Sequence, residues 1–313
     1  YDPECDDVIR VAFMHKLHRA KLADLVSMLS GRNFVTREFK EEIVEQTYKD
    51  FTEGVLNVVS EYNFKQFMIA IKSAGFISSR LVNSNMALDF AYTIYLILRE
   101  SGEVAVEDIK RYVQKWYVLS VLTGRYSNSP ESAFARDIRR IKENGVLAIL
   151  KEIEDAQLSD NFWNVALVQN LSYTSTNNPT YLVFLAAQIF FNDISFLSNN
   201  VPVRELIALG GDVHHIFPKQ YLMDNHFDKS QYNQDANYVF LDRPVNISVG
   251  KKAPNVYLQE AKNRCLSGNS AQTGLINDID KFYQNLEMNC VPTEAIDMDY
   301  TSYEDFLEKR RKL

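Results

Sequence analysis

The sequence lacks several features that would assign it to a membrane, an oxidising compartment or the strongly basic nucleic-acid binders. No apolar run reaches the roughly 18 residues that a membrane-spanning helix needs, and the richest, at 181–191, is about eleven long. Cys5, Cys265 and Cys290 are an odd number without metal-type spacing, which is typical of reduced thiols in the cytoplasm. No signal peptide opens the chain. The net charge is −7, so any contact with DNA must come from a local patch.

Two further absences concern organisation. No glycine-rich phosphate-binding loop is visible, and no repeat of 20 to 50 residues is evident. The chain begins with Tyr1 instead of methionine, which is typical of a piece of a longer protein. A nucleotide-hydrolysing domain is therefore not expected within these residues.

The chain contains enough apolar residues for a sizeable core, most of them at helical spacing. With 313 residues and 46% hydrophobic content, it is expected to form two domains, or one large domain with an appendage. Residues 199–202, Asn-Asn-Val-Pro, indicate a boundary between a helical scaffold domain at 1–200 and a smaller module at 201–313. The periodicity predicts helices over 6–30, 36–62, 64–74, from 83 or 85 to 101, 106–122, from 130 onwards, 147–154, 160–170, 181–192, 203–209, 219–223, 255–266, 271–289 and 303–313. The helix from 130 carries Asp137 among acidic and basic residues, and either a basic strip or a mixed-charge exposed face is expected there. The basic residues at 309–312 are expected to be solvated or to contact a phosphate backbone.

One segment near the C-terminus combines residue types that carry chemistry. His214 and His215 stand side by side, and the sequence Ile-Phe-Pro-Lys-Gln follows them at 216–220. Adjacent residues on a strand point to opposite sides, so both histidines cannot face the same core. Asn237 then opens a second apolar run at 238–241, Asn246 follows it, and Lys251 and Lys252 precede a helix-like segment.

This order of elements resembles the HNH, or ββα-metal, nucleases. It is similar in particular to the HNH-type domain at the C-terminal end of GmrSD-like restriction endonucleases, with residues 205–262 carrying the match. The resemblance implies a mainly α-helical (α+β) chain with a small ββα-metal module, closed by the helix at 255–266. A vaguer similarity to the helical part of the same proteins lies at Arg125, Tyr126 and Ser127, and no chemistry is assigned to it.

The resemblance also implies a role for each residue of the motif. His215 would be the general base that takes a proton from the attacking water, and His214 would be a metal ligand where many relatives have an acid. Asn246 would be the second ligand, and Asn237 would hold the loop and help to orient His215. Asp212 lies two residues before His214, so on a strand it shares that face and could supply the missing carboxylate.

Phosphodiester hydrolysis needs an activated water, a cation and stabilised phosphoryl charge. The cofactor implied is a divalent metal ion, with Mg²⁺ expected in the cell. A first shell of histidine and asparagine is neutral, which lowers the affinity for Mg²⁺ and also suits Mn²⁺, Ni²⁺ or Zn²⁺. Lys219, Lys251 and Lys252 are the expected contacts to the phosphate backbone.

The function implied is a metal-dependent DNA endonuclease or nickase in prokaryotic defence against foreign or modified DNA. DNA is the expected partner, together with an N-terminal nucleotide-hydrolysing sensor domain or subunit outside this chain, and no membrane partner is expected. The alternative is a non-enzymatic helical interaction or nucleic-acid-binding scaffold with a degenerate nuclease fold. A third reading is an RNA-directed nuclease, since such a site recognises phosphate and not the sugar.

Each motif residue also has a plainer interpretation. Adjacent histidines are often ordinary polar residues, and both asparagines could be turn residues. His226 could be an extra ligand or a simple loop histidine. His15 and His18 have a metal-ligand spacing, yet no third ligand is evident, so both are expected to be surface or partly buried histidines.

Overall fold

The computed structural model describes residues 1–34, 36–172, 175–267 and 274–313. These residues are mainly α-helical, with one two-stranded sheet. The chain divides into two compact units, one formed by residues 1–74 and 82–159 and the other by 75–81 and 160–313. This division falls near residue 160, whereas the sequence predicted a boundary at 200–201.

The first unit consists of helices that contribute buried aromatic side chains to its core. The Phe90 ring stacks on Trp116 at 5.4 Å and on Phe134 at 5.3 Å between centroids, and all three side chains are fully buried. Its helices are α1 (Cys5–Leu17), α2 (Leu22–Leu29), α3 (Glu41–Val58), α4 (Glu61–Ser73), α5 (Asn85–Ser101), α6 (Val106–Leu122), α7 (Pro130–Asn144) and α8 (Val146–Gln157).

Two predictions for this unit were wrong at helix ends. The single helix expected over 6–30 is α1 and α2, because His18 adopts the left-handed conformation that ends α1. Helix α3 begins at Glu41 and not near Thr36, whose hydroxyl instead accepts a hydrogen bond from the Glu38 amide.

The surface of α7 also differs from expectation. Asp137, which the sequence placed on a mixed-charge exposed face, is fully buried. Both of its carboxylate oxygens accept hydrogen bonds of 2.7 Å from the Arg125 guanidinium, and the Tyr126 hydroxyl donates a third at 3.1 Å. The loop between α6 and α7 is therefore fixed by a buried bidentate ion pair.

The second unit contains the sheet and the remaining helices. The helix expected over 160–170 is present, and it contains a π-helical segment, Phe162–Ala166, directly before α9 (Leu167–Asn170). The further elements are short 3₁₀ segments at Ser79–Leu81, Asp235–Asn237, Thr293–Asp297 and Tyr300–Ser302, strands β1 (Val213–His215) and β2 (Tyr238–Phe240), and helices α9 (Leu167–Asn170), α10 (Pro179–Phe191), α11 (Val203–Ala208), α12 (Lys219–Asp224), α13 (Lys229–Tyr232), α14 (Arg243–Val249), α15 (Pro254–Ser267), α16 (Ile279–Met288) and α17 (Tyr303–Lys312). The prediction of a helix from 271 includes 271–273, which lie outside the described residues.

Two contacts within the second unit link the start of α10 to the sheet. The Asn178 amide donates a 2.6 Å hydrogen bond to Asp235, and the Tyr181 ring packs edge-on against Tyr238. The first residues of α10 are thus linked to β2 and to the turn before it.

Helix α17 anchors β2 through a buried arginine. Arg310 is only 6% exposed, and its guanidinium donates hydrogen bonds to backbone carbonyls before, within and after the sheet, those of Ala236, Tyr238, Asn289 and Cys290. The basic end of this helix was expected to be solvated or to contact phosphate. For Arg310 that expectation is wrong, because its donors are used inside the protein.

Two expectations from composition can be compared with the described residues. None of their helices combines the length and apolarity that crossing a bilayer requires. Cys5, Cys265 and Cys290 are all free thiols.

Candidate functional site

The two motif strands pair antiparallel in one defined register. Val213 lies opposite Phe240, His214 opposite Val239, and His215 opposite Tyr238. Directly opposed residues of an antiparallel pair share a face, and neighbours along a strand alternate. His214 and His215 therefore occupy opposite faces of the sheet, as the alternation in the sequence predicted.

His215 is enclosed by polar and aromatic groups on its face. Its Nε2 lies 3.0 Å from Oδ1 of Asn233. The Tyr238 ring meets the imidazole edge-on at 5.2 Å and 84°, and the Tyr232 ring does so at 6.2 Å and 69°. The ring of His215 is thus held from three directions. Neither Asn233 nor Tyr232 was singled out in the sequence, where both fall in a polar loop.

Asn237 holds the loop that carries these groups. It is fully buried, its Oδ1 accepts a 2.8 Å hydrogen bond from the Phe217 amide, and its Nδ2 donates to the carbonyls of Phe217 and Tyr232. Asn237 therefore joins the chain just after β1 to the residue next to Asn233. These contacts are those that a loop-holding residue would make.

His214 lies on the opposite face, the side of the sheet that packs on the core. Its cross-strand neighbour Val239 belongs to the same buried cluster as Val245 and Val249 of α14. His214 itself is partly exposed, and Asp212 and Asn246 are exposed. Asn246 lies on α14, next to Val245. The exposure of these three expected ligands makes each of them accessible to solvent.

The helix that carries Asn246 differs from the one the sequence assigned to close the module. The expected helix at 255–266 exists as α15, but α14 comes directly after β2. The Asp242 carboxylate caps α14 by accepting a hydrogen bond from the Val245 amide at 3.0 Å, and it also accepts one from the Ser198 hydroxyl at 2.6 Å. Asp242 followed by Pro244 is a helix-start signal that could have revealed α14.

The three lysines that are expected to contact the phosphate backbone have different surroundings. Lys219 begins α12 with its ammonium 5.5 Å from the Tyr232 ring centroid. Lys251 and Lys252 lie between α14 and α15 and not on a helix, and Lys252 forms a 2.6 Å ion pair with Glu260. An open cleft of about 770 Å³ includes both lysines and Arg264 in its lining.

Burial changes the proton affinity of both histidines. It lowers the pKa of His214, and the nearby Asp212 carboxylate partly opposes this. Burial also lowers the pKa of His215, the bond to Asn233 opposes that change, and the charge of Lys219 lowers it further. Both imidazoles are therefore neutral at pH 7, the form that binds a metal or accepts a proton.

The other histidines have surroundings of their own. His226 is exposed in the left-handed backbone conformation. His15 is 4% exposed and contacts Glu100 at 2.7 Å, so the expectation of a surface or partly buried histidine is wrong for His15, while His18 is partly buried. Within 1–34, 36–172, 175–267 and 274–313, no three His, Cys, Asp or Glu side chains are grouped so that they could hold a metal.

Comparisons with known proteins give one distant relative. No family model matches the chain, and no solved structure matches it. An uncharacterized protein of Methanocaldococcus jannaschii is 23% identical over 214 residues, which cover 64% of this chain and 35% of that protein. The chain thus spans about a third of the length of the relative it matches, and the name of that relative states no activity.

Proposed function

We propose that this chain is a divalent-metal-dependent endonuclease or nickase that hydrolyses phosphodiester bonds in DNA. The observation that carries the proposal is the surroundings of His215. Its imidazole is partly buried, fixed by Asn233 and two tyrosine rings, and lies near the cation Lys219. A neutral, oriented imidazole beside a positive charge suits a general base that acts on a water next to a phosphate. In this part of the chain β1 and β2 pair antiparallel and α14 follows β2, with α12 and α13 between the strands.

His214, Asp212 and Asn246 carry side chains of the kinds that bind a divalent cation. His214 offers a neutral imidazole, Asp212 a carboxylate and Asn246 an amide oxygen, and all three are accessible to solvent. Imidazole with oxygen donors is a ligand set found for Mn²⁺, Ni²⁺ and Zn²⁺ as well as Mg²⁺. A bound cation would supply Lewis-acid stabilisation of the phosphoryl oxygen and the leaving oxygen. The prokaryotic defence role and the nucleotide-hydrolysing partner are proposed from the HNH resemblance alone.

The test is nicking of supercoiled plasmid DNA in the presence of Mg²⁺, Mn²⁺ or Ni²⁺. The wild-type chain should cut, and His215→Ala should lose at least about 100-fold in rate, the lower range for a general base. His226→Asn is the matched control, because it removes a histidine outside the site and asparagine tolerates the left-handed backbone there. Circular dichroism checks that both variants fold.

Two outcomes would contradict this proposal. Undiminished cutting by His215→Ala would exclude His215 as the base. A folded wild-type chain that cuts neither DNA nor RNA with any of the three metals would favour the helical scaffold. Digestion of DNA and RNA side by side distinguishes a DNA enzyme from an RNA enzyme.

A further inference from the structure

We propose that Asn233 is a positioning residue that selects the proton-acceptor nitrogen of His215. The inference rests on the proposed function, because it concerns the base of that reaction. It begins from the 3.0 Å contact between Oδ1 of Asn233 and Nε2 of His215. In this orientation of the side chain the amide oxygen faces Nε2 and can only accept a hydrogen bond, which assigns the hydrogen to Nε2. A neutral imidazole has one N–H, and Nδ1 is therefore left with the lone pair.

The surroundings of the ring favour the same assignment. Within the part of the chain that the structure describes, no hydrogen-bond partner contacts Nδ1 of His215. The two tyrosine rings meet the imidazole edge-on, so a ring flip would have to pass between them and would break the bond to Asn233. Nδ1 is thus the nitrogen that remains available to a water.

Asn233 is itself held in place by its neighbours in the chain. The backbone N–H of Asn233 donates to the carbonyl of Lys229. The side-chain amide of Asn237 donates to the carbonyl of the preceding residue, Tyr232. One residue earlier, the Gln231 carbonyl accepts a hydrogen bond from the Tyr303 hydroxyl at 3.0 Å. The backbone of three consecutive residues is therefore held by hydrogen bonds, and this fixes the position of the Asn233 side chain that contacts His215.

This arrangement defines how the proton moves. Nδ1 of His215 accepts one proton from the attacking water, and the water oxygen forms the new bond to phosphorus. The bond from phosphorus to the 3′-oxygen breaks, and solvent protonates that oxygen. As a positive charge develops on the imidazolium, its Nε2–H bond to Asn233 strengthens. Asn233 thus acts through His215 and does not touch the substrate.

The direct test is the tautomer of His215, which needs no catalytic activity. Nitrogen-15 NMR of the histidine-labelled chain distinguishes a protonated from an unprotonated ring nitrogen, and comparison with His215→Gln assigns the signals. For the neutral ring of the wild-type chain we expect Nε2 protonated and Nδ1 bare. In Asn233→Leu the two tautomers should mix, whereas Asn233→Asp, which keeps an acceptor oxygen, should retain the wild-type pattern. A dominant Nδ1–H form in the wild-type chain would overturn the proposal.

Kinetics provide the second measurement. We expect Asn233→Leu to lower kcat by roughly tenfold or more, a part of the ~10²–10⁴-fold effect of a general base, with KM changed less than twofold. Asn233→Asp should recover most of the loss. Asn225→Leu is the matched control, because Asn225 lies in the same connection and its side-chain amide donates to the backbone carbonyl of Tyr221 and not to His215. Wild-type kcat in a folded Asn233→Leu chain would contradict the role of Asn233.

The two proposals fail differently. If the wild-type chain does not cut nucleic acid although Nε2 of His215 is protonated, the nuclease proposal fails and the hydrogen-bond assignment stands. If the chain cuts and Nδ1 proves to be the protonated nitrogen, the nuclease proposal stands and the role of Asn233 is excluded.

Discussion

Asn237 satisfies three backbone groups that have few other partners in the core. Replacing it with alanine removes one acceptor from the Phe217 amide and one donor from each of the Phe217 and Tyr232 carbonyls. Each buried polar group left without a partner costs about 1–3 kcal/mol, so Asn237→Ala should lower the free energy of unfolding by roughly 3 kcal/mol or more. Urea unfolding measures this loss.

The control for that change is Asn263→Ala. Asn263 is exposed on α15, and its replacement should alter the free energy of unfolding by less than about 0.5 kcal/mol. A loss below about 1 kcal/mol for Asn237→Ala would mean that the loop rearranges to satisfy its own carbonyls. Asn237→Asp keeps the acceptor but not the donors, and should lie between alanine and wild type.

The pH dependence of cleavage follows from the surroundings of His215. A general base acts in its unprotonated form, so the rate should fall as the pH is lowered. Burial and the nearby Lys219 lower the pKa of His215, so the midpoint of the fall should lie below the ordinary histidine value of about 6.5. Single-turnover cleavage between pH 5 and 8 at saturating metal measures it. A midpoint above 7 would be inconsistent with a base in these surroundings.

At the scale of elements, the position of Asn246 depends on the cap of α14. Asp242→Ala removes the acceptor for the Val245 amide and leaves the Ser198 hydroxyl without its carboxylate partner. Loss of an N-cap costs about 0.5–2 kcal/mol, so stability should fall within or somewhat above that range in urea unfolding. Asp242→Asn keeps an oxygen for the cap and is the matched control. Equal losses in both variants would indicate that the charge of Asp242, and not the cap, stabilises this end.

A second element-scale prediction concerns the 3₁₀ turn before β2, which contains Asp235. Burial raises the pKa of Asp235 to about 7, although Asn178 and Arg311 oppose this. A raised pKa means that the folded chain binds the proton more tightly than the unfolded chain, so this contribution to stability is lost as the pH rises from about 4 to 7. The variant Asp235→Asn has no such proton to lose.

The measurement is urea unfolding of Asp235→Asn and wild type at pH 5 and pH 8. The variant should gain stability relative to wild type by on the order of 2 kcal/mol between these two values. A difference that stays constant with pH would show that Asp235 is ionised throughout this range.

The sequence predicted elements well where the local pattern was complete. Helix α6 was predicted at its observed bounds, and α11 ended one residue before its predicted end, because each combines apolar periodicity with clear ends. Helix α14 was missed because its seven residues bury only Val245 and Val249, too few for a periodicity. Its start is nevertheless marked in the sequence by the N-cap residue Asp242 and by Pro244.

Contacts between residues far apart in sequence explain the other differences. Asp137 was expected on an exposed face, and its burial depends on Arg125, twelve positions earlier. Asn233 acquires a role only because the loop returns it to His215, eighteen positions away. Arg310 belongs to a run of basic residues at the C-terminus, yet its guanidinium donates a hydrogen bond to a strand more than seventy residues before it. Local pattern contains no information on such pairings.

At the scale of the whole molecule, the distribution of charge limits how the chain can bind DNA. Acidic residues exceed basic ones by seven, so the surface as a whole repels phosphate and attraction must be local. In the second unit, Lys219 lies beside the Tyr232 ring, and Lys251 and Lys252 line the cleft next to α14. Lys252 shares its charge with Glu260, which weakens its attraction for a phosphate.

This small basic set predicts a shallow salt dependence of DNA binding. Three phosphate contacts give a slope of log K against log salt of about −2.7, so raising salt from 50 to 200 mM should weaken binding by roughly 40-fold. Fluorescence anisotropy with the His215→Ala chain measures binding without cleavage. Lys251→Ala should reduce the slope by about 0.9, and Lys281→Ala, which removes an exposed lysine of α16, should leave it unchanged. A slope near −8 would require about nine phosphate contacts, and DNA would then have to bind a basic surface larger than these three lysines.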